Sequence, residues 1–262
     1  MKFKRSTFPK ISIIMNCHNG KKYLKKSLQS VIKQSYKNWE IIFYDNKSND
    51  KSKQIAKNFH DRRIKIFSSK RYLKLYEARN YAIKKASGDY ISFLDTDDWW
   101  AKDKLEKQVY LINKNKDIKI IYSNFYHYNQ KTKKKALHAK KIESGKITNI
   151  MLRNYKIGIL TVMISRSIFK KEKFDINYNI IGDFDFFIKL SLIYPFYTIN
   201  EPLAYYRWHE SNYSKKRIKE YISEYDYWIK KNKKLFKRNK TKFIFPWLTI
   251  KKLQIKSFLN LG

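Results

Sequence analysis

The fold is decided by one stretch of sequence, Tyr90-Ile91-Ser92-Phe93-Leu94-Asp95-Thr96-Asp97-Asp98-Trp99-Trp100. It joins an apolar run to three carboxylates within four positions, in a chain with 59 Lys and Arg, 22 Asp and Glu and a formal net charge of +37. Residues 90–94 predict a strand that carries the acidic cluster to a sheet edge, where carboxylates two positions apart can share Mg²⁺ or Mn²⁺. The alternative is a solvated acidic turn before a helix that starts near Lys102, since a carboxylate is also favourable at a helix N-terminus.

Strands and helices alternate on the N-terminal side of this stretch. We predict strands at residues 11–15, 39–44 and 64–67, with amphipathic helices between them. This alternation predicts a parallel sheet with helices on its faces. Ligands of such sheets bind beyond the carboxyl ends of the strands. Because polar turns follow three of the strands, at residues 16–20, 45–50 and 95–98, the sequence predicts one site at this edge.

The second half of the chain is less regular. Strands are predicted at residues 118–123 and 161–164, helices at 183–192 and 215–240, and an exposed hairpin or loop at the basic stretch 131–141. Beyond residue 240, Phe and Trp alternate with lysines around Trp247. This tail suits a segment at a membrane interface, and the alternatives are packing on the catalytic domain or a dimer contact.

Composition limits the class of protein. The 262 residues are long enough for a substantial core, and an apolar content of 43% argues against global disorder. Cys17 is the only cysteine, so there is no intrachain disulfide, and a reducing compartment fits best. No run approaches the roughly 20 apolar residues of a membrane span, and the first one is too short for a secretory signal. We therefore predict a cytoplasmic protein, bound peripherally to the inner face of the cell membrane.

The positive charge raises a different class of function. It favours anionic membrane surfaces, phosphorylated substrates and nucleic acids. A nucleic-acid-binding protein would gather its basic residues in a groove, whereas the lysines of this chain are spread over nearly every segment. Such a function also leaves the acidic cluster unexplained, so we expect no nucleic-acid partner.

Three further motifs accompany the acidic cluster. They are Glu77-Ala78-Arg79-Asn80, Gly182-Asp183-Phe184-Asp185 and Tyr206-Arg207-Trp208-His209. With these motifs in order, the chain resembles the family-2 inverting glycosyltransferases of the bacterial cell-surface polysaccharide type, from about Ile11 to about Ser214. The resemblance implies an α/β protein with the GT-A fold, whose Rossmann-like, mostly parallel central sheet is flanked by helices. It further implies a nucleotide-sugar-binding half at residues 1–100, an acceptor-binding and catalytic half at 101–214, and a basic, aromatic helical extension at 215–262.

The resemblance also assigns roles to residues of this sequence. Asp183 matches the catalytic base. The nucleotide is expected at Asn19, Asp45, Asp50, Arg79 and Asp95. A Mn²⁺ or Mg²⁺ ion is expected at Asp97 and His209. Weaker candidates for the donor or acceptor sugar are Asp98, Asp185 and Arg207.

The implied reaction transfers a sugar from a nucleoside-diphosphate sugar to a saccharide acceptor, which could be lipid-linked. A divalent metal neutralises the leaving diphosphate, and a base deprotonates the acceptor hydroxyl. The family has Glu where this chain has Gly182, and a sugar-nucleotide binder with weak activity is therefore an alternative.

Several of the assigned residues have structural interpretations as well. Asp183 could cap a helix, Asp185 could compensate the helix dipole in the first turn, and Asp98 could cap the helix that follows it. Arg207 is either a diphosphate contact or a member of a structural ion pair.

Overall fold

The computed structural model describes residues 8–210, residue 212 and residues 217–258, the last five of these by their backbone alone. Predictions for residues 1–7, 211, 213–216 and 259–262 lie outside the described residues. They include the end of the family resemblance near Ser214 and the first residues of the predicted helix 215–240.

The N-terminal half of the sheet consists of parallel strands. These are β1 (Ile11–Cys17), β2 (Trp39–Asp45), β3 (Ile64–Ser68) and β4 (Tyr90–Phe93), connected by α1 (Lys21–Ile32), α2 (Ser52–Lys57) and α3 (Leu75–Lys84). The strands lie in the order β3-β2-β1-β4. Strands β2 and β4 are buried along their whole length, which explains why they are mainly apolar, with only Glu40, Asp45 and Ser92 as polar residues, rather than regularly alternating. The predicted alternation of strands and helices is confirmed.

The second half extends the same sheet. Its elements are β5 (Trp99–Trp100), α4 (Lys104–Lys114), β6 (Ile120–Asn129), β7 (Lys135–Leu137), α5 (Thr148–Arg153), β8 (Met163–Ser165), α6 (Gly182–Ser191), β9 (Phe196–Trp208), α7 (Ile218–Arg238) and α8 (Ile244–Phe258). The sheet continues from β4 in the order β8-β6-β9-β5, and β7 pairs with β6 as the predicted basic hairpin. Strand β8 runs antiparallel to both β4 and β6, and β5 antiparallel to β9, so the sheet is mixed beyond β4. The mostly parallel arrangement that we expected is therefore limited to the N-terminal half and the β6–β9 pair.

Strand β9 was not predicted, although it is 13 residues long. Glu201 and Pro202 interrupt its apolar residues, and its pairing with β6 shifts register around Asn124. Proline and bulges both weaken the alternation by which a strand is recognised in a sequence. The strand is important because it carries Arg207 to the site and ends just before His209.

Two apolar cores lie on opposite faces of the sheet. Helices α1, α2 and α4 pack on one face through residues such as Leu24, Ala56 and Val109. Helices α3, α5, α6, α7 and α8 cover the other face, where Phe187 and Trp228 are fully buried. The site therefore rests on strand ends that are fixed from both sides.

The C-terminal helices belong partly to this second core. Trp228 of α7 and Ile250 of α8 are buried in it, whereas Ile244, Trp247 and Leu248 of α8 are 61%, 50% and 52% exposed. The tail thus packs on the catalytic domain through one face and leaves an apolar face uncovered. Among the described helices, none is both long enough and apolar enough to span a bilayer.

Candidate active site

The acidic turn after β4 is held in place by the first helix. The Asp98 backbone N–H donates to the Asp95 carbonyl at 3.2 Å, which closes the turn. The Ser27 hydroxyl of α1 lies 2.8 Å from the Thr96 carbonyl and 2.5 Å from the Asp98 carbonyl. A Cβ on Gly20 would come within 2.7 Å of Thr96 Oγ1, so the turn after β1 packs directly against the acidic turn. The carboxyl ends of β1 and β4 therefore form one continuous edge.

Asp97 and His209 meet across this edge. His209 Nε2 lies 3.0 Å from Asp97 Oδ2, and the side chains are 9% and 31% exposed for His209 and Asp97. The His209 backbone N–H donates to Asn212 Oδ1 at 2.6 Å, which fixes the chain as it leaves β9. The structure brings together two residues that are 112 positions apart in the sequence.

This pair fits a divalent cation that also binds substrate phosphates. A carboxylate and an imidazole are common ligands, and Mg²⁺ and Mn²⁺ complete their shells with phosphate oxygens and water. Within the part of the chain that the structure describes, no group of three or more His, Cys, Asp or Glu side chains has the arrangement of a metal site. Among the described residues, Asp97 and His209 are therefore the side-chain ligands this edge offers, and the diphosphate of a substrate would supply others.

Asp95 pairs with Arg79 of α3. The Arg79 Nη2 lies 3.0 Å from Asp95 Oδ1, and the guanidinium is buried while the carboxylate is partly exposed to the cleft. Burial raises the pKa of the Asp95 carboxyl, and the charge of Arg79 counteracts part of that rise. The buried guanidinium of Arg79 thus fixes the position of the Asp95 carboxylate at the cleft.

Asp98 does not cap a helix, contrary to one of the expected roles. Helix α4 begins only at Lys104, and the Asp98 side chain is 2% exposed. Its Oδ1 accepts a hydrogen bond from the Arg207 backbone N–H at 2.7 Å, and burial together with the Asp97 charge raises its pKa well above the usual range. Asp98 therefore ties β9 to the acidic turn.

Arg207 is not a member of a side-chain ion pair with Asp98. Its Nε donates to the Asp97 carbonyl at 2.6 Å, and its guanidinium carbon lies 4.3 Å from the Tyr23 ring centroid and 4.5 Å from that of Trp99. The Nη2 atom is buried and has no hydrogen-bond partner among the described residues. The guanidinium therefore supports the backbone of the metal-ligand candidate Asp97.

The predicted nucleotide-binding turns lie at the ends of β1 and β2. Asp45 is 5% exposed, and its buried Oδ1 has no hydrogen-bond partner in the described part of the chain. Asn19 adopts a left-handed backbone (φ 55°) and its Oδ1 accepts from the Asn49 N–H at 2.9 Å. Asp50 accepts from the backbone N–H groups of Lys21 and Ser52 at 3.0 and 2.9 Å. Asp50 and Asn19 therefore fix the two turns, while the buried Oδ1 of Asp45 is left without a partner among the described residues.

Asp183 lies in the first turn of α6. The N-cap position is Ile181, so the capping interpretation of Asp183 does not hold. Its Oδ1 accepts from the Phe184 N–H at 2.9 Å and lies 3.3 Å from the Tyr76 hydroxyl. Burial raises the pKa of the Asp183 carboxyl, against the opposing charge of Arg79. A carboxylate with a raised pKa is suited to take up a proton at neutral pH.

One cleft of about 630 Å³ is lined by five of these residues, whereas Asn19, Asp45, Asp50, Arg207 and His209 are not part of its lining. Its lining includes Arg79, Asp95, Asp97, Asp98 and Asp183. A second cavity of about 320 Å³ also reaches Asp183, from the side of α5, α7 and α8. The carboxylate of Asp183 thus borders both spaces.

Asp185 was expected at the sugar or as a partner of the helix dipole, and it does not line this cleft. It is 2% exposed, its Oδ1 accepts from Trp228 Nε1 at 2.9 Å, and it forms an ion pair with Lys189 at 2.7 Å. It lines a separate cavity beside α3. Asp185 therefore anchors α7 on α6 and lies outside the cleft that Asp95, Asp97 and Asp183 line.

Sequence reasoning missed three groups of the site. Tyr76 contacts Asp183 directly, and His127 and Trp208 line the cleft. The only signal for Tyr76 was its place just before the Ala78-Arg79-Asn80 motif. Nothing in a single sequence indicates that its ring faces α6, because the two segments are more than 100 positions apart.

The carboxyl edge of this α/β sheet thus gathers acidic side chains, a histidine and a buried arginine around one cleft. Comparison with known proteins specifies the family. The family model for Glycosyl transferase family 2 matches residues 12–190 of this chain. The UDP-Glc:alpha-D-GlcNAc-diphosphoundecaprenol beta-1,3-glucosyltransferase WfgD of Escherichia coli is 35% identical over 184 residues, which cover 70% of this chain and 69% of WfgD. An uncharacterized glycosyltransferase of Methanocaldococcus jannaschii, MJ1057, is 31% identical over 242 residues, which cover 88% of this chain and 83% of that protein.

Solved structures agree on the fold. S. aureus TarS 1-349 in complex with UDP-GlcNAc matches 84% of this chain with a TM-score of 0.72 and 17% identity. The mannosyltransferase PcManGT from Pyrobaculum calidifontis, in complex with GDP-Man and Mn²⁺, matches 85% with a TM-score of 0.62 and 15% identity. The present chain covers 65% and 64% of those two chains. The chain belongs to glycosyltransferase family 2, and the predicted GT-A fold and enzyme class are confirmed.

Proposed function

We propose that this protein is an inverting glycosyltransferase that moves a sugar from a nucleoside-diphosphate sugar to a saccharide acceptor, with help from Mn²⁺ or Mg²⁺. One observation carries the proposal: Asp183 lines the same cleft as the Arg79–Asp95 pair and as Asp97, whose carboxylate contacts His209. A candidate base and a candidate site for the leaving diphosphate therefore share one space of about 630 Å³.

The residues divide the chemistry between them. Asp183 takes the proton from the acceptor hydroxyl as that oxygen attacks the anomeric carbon, and its raised pKa suits this role. Asp97 and His209 would hold the divalent cation, which supplies neutralisation of the negative charge on the departing diphosphate. The buried Arg79 holds Asp95 at the edge of the same cleft. Asp45 Oδ1, which has no partner among the described residues, is available to accept a hydrogen bond from an N–H group of the donor's nucleobase.

The names of similar proteins suggest the first substrates to test. The name of WfgD specifies UDP-glucose as donor and a diphosphoundecaprenol-linked GlcNAc as acceptor, and TarS was solved with UDP-GlcNAc. We propose a UDP-sugar donor and a lipid-linked saccharide acceptor for this chain, in the synthesis of a cell-surface polysaccharide. The second cavity beside Asp183 offers the acceptor a route to the base that does not cross the donor site.

A lipid-linked acceptor places the enzyme at a membrane surface. We propose that the exposed face of α8, formed by Ile244, Trp247 and Leu248, lies on the cytoplasmic side of an anionic membrane. The three residues have helical i, i+3, i+4 spacing, and the formal net charge of +37 adds electrostatic attraction.

Activity should be measured with UDP-glucose and UDP-GlcNAc, Mn²⁺ or Mg²⁺ and a polyprenyl-diphosphate GlcNAc acceptor. Asp183→Asn should lower kcat by about 10²–10⁴-fold with donor binding retained, because a general base contributes that much. Asp97→Asn should weaken the response to metal, and the matched control Asp117→Asn, at an exposed carboxylate, should change neither. NMR of the product should show inversion at the anomeric carbon. Donor binding without turnover in the wild type would favour the weak sugar-nucleotide binder instead, and an active Asp183→Asn variant would refute the assigned base.

Membrane binding needs a separate test. The wild type should sediment with phosphatidylglycerol vesicles, and the double variant Trp247→Glu, Leu248→Glu should not. Tyr110→Glu is the matched control, because Tyr110 is an exposed aromatic residue on α4. Equal sedimentation of the double variant and the wild type would contradict a role of α8 in membrane binding.

A further inference from the structure

Gly182 leaves a space beside Asp183 that the side chain of Tyr76 fills. A Cβ built on Gly182 would come within 2.5 Å of Cδ2 and 2.7 Å of Cζ in the Tyr76 ring. Real Cβ atoms essentially never approach another heavy atom below 3.0 Å. The ring of Tyr76 and a side chain at position 182 therefore exclude each other.

The hydroxyl of Tyr76 reaches the candidate base. It lies 2.8 Å from the Ile180 carbonyl oxygen and 3.3 Å from Asp183 Oδ1, so its one proton is shared between these two acceptors. The Glu224 carboxylate accepts from the backbone N–H groups of Ile180 and Ile181 at 3.0 and 3.1 Å, so the segment before α6 is fixed from two sides. The hydroxyl is thus held at one place by backbone that cannot easily move.

The two recorded hydrogen bonds of the Asp183 carboxylate both fall on Oδ1. They come from the Phe184 N–H and the Tyr76 hydroxyl, and Oδ2 has no partner among the described residues. A carboxylate that is fixed through one oxygen presents the other in a defined direction. This is the arrangement that a general base requires.

We propose that Tyr76 is a positioning residue for Asp183, and that glycine at position 182 admits its ring. In this chain the Tyr76 ring fills the space that the side chain of a Glu at position 182 would need. The inference rests on the proposed function for the role of Asp183, and on the geometry alone for the Tyr76–Gly182 contact.

Other groups also face the Asp183 carboxyl. The charge of Arg79 on α3 lowers the pKa of Asp183, and the charge of Asp95 raises it. The Asp183 charge in turn contributes to the raised pKa values of Tyr155 and Tyr221. The hydrogen bond from Tyr76 lowers the pKa of Asp183 against the effect of burial. Removal of the hydroxyl should therefore raise that pKa further.

The test is Tyr76→Phe, which removes one oxygen and keeps the ring against Gly182. We expect kcat to fall about tenfold, as for one lost hydrogen bond to a charged group, with an unchanged KM for the donor. The acidic limb of the kcat–pH profile should move to higher pH, because the base then needs a higher pH to lose its proton. Tyr81→Phe is the matched control, since Tyr81 lies on the same helix with its ring 43% exposed.

A second measurement separates this inference from the proposed function. NMR titration of ¹³C-labelled aspartate in the ligand-free protein should give a higher pKa for Asp183 in Tyr76→Phe than in the wild type. An unchanged pKa of Asp183 together with an unchanged kcat–pH profile would overturn the inference about Tyr76. The proposed function would still stand in that case, provided that the wild type is active and the Asp183→Asn variant is inactive. An inactive wild type would refute the proposed function, and the NMR titration would still decide the role of Tyr76.

Discussion

Substitution of Gly182 by alanine is the most direct probe of the contact with Tyr76. The new Cβ would lie within 2.5 Å of the Tyr76 ring, whereas ordinary contacts begin at 3.4 Å, so it stands roughly 0.9 Å too close. The ring cannot swing away, because it is 2% exposed, stacks on Phe174 at 5.6 Å and is anchored through its hydroxyl to Ile180.

Overpacking of this kind costs about 1–3 kcal/mol in the free energy of unfolding. The better helix propensity of alanine offsets up to about 1 kcal/mol of that, since Gly182 begins α6. We therefore expect a net loss of about 1–2 kcal/mol. For a chain of this size, that loss lowers Tm by about 2–8 °C.

A double-mutant cycle with Tyr76→Ala isolates the contact. Urea denaturation of the wild type, both single variants and the double variant gives the coupling energy. With the ring removed, the helix propensity of alanine should make Gly182→Ala stabilise the protein by up to about 1 kcal/mol, so the coupling energy should be about 1–3 kcal/mol. The argument fails if Gly182→Ala destabilises the protein equally in both backgrounds, because the overlap would then lie elsewhere.

Three further substitutions test other parts of the structure. Glu40 is 1% exposed, and although burial raises its pKa, hydrogen bonds from Lys65, Ser12 and other groups outweigh burial and hold it well below the usual range. Glu40→Gln should therefore cost about 1–3 kcal/mol at pH 7 by urea denaturation. The difference should shrink below about pH 4, because the carboxyl of the unfolded chain takes up a proton there while that of the folded protein does so only at lower pH. Lys104 is fully buried, and burial lowers its pKa. The charged lysine therefore destabilises the folded state at every pH below the unfolded pKa of about 10.4. Lys104→Met should raise Tm at pH 7, and this increase in Tm should become smaller towards pH 10. Asp45→Asn should weaken UDP binding by about tenfold in calorimetry with Tm unchanged, and an equal Kd would remove Asp45 from the nucleotide site.

The N-terminal half of the fold could be predicted because its signals are local. Each strand from β1 to β4 is an apolar run that a polar turn ends within a few residues, and the helices between have regular apolar spacing. The rule that parallel strands present their carboxyl ends together then places Asp45 and Asp97 at one edge. Secondary structure and one general rule of topology were sufficient there.

The remaining features depend on contacts between distant segments. Asp98 and Arg207 are 109 positions apart, and only the β5–β9 pairing brings Asp98 onto the backbone of Arg207. Asp185 resembles a site residue in sequence because it lies two positions after Asp183, yet on a helix two positions turn a side chain to a different face. It meets Trp228 of α7 instead of the cleft.

The Tyr76–Gly182 contact bears on the alternative of a weak sugar-nucleotide binder. That alternative was motivated by a missing carboxylate beside Asp183. The glycine, however, does not leave an empty or solvated space, because an aromatic ring fills it and brings a hydroxyl to 3.3 Å from the base. A lost acidic neighbour also removes a like charge, which would otherwise raise the pKa of Asp183 further beyond the effect of burial. If Asp183 is the base, as we propose, glycine at position 182 leaves a neutral hydroxyl rather than a second carboxylate beside it, so the missing acidic neighbour does not by itself argue for weak activity.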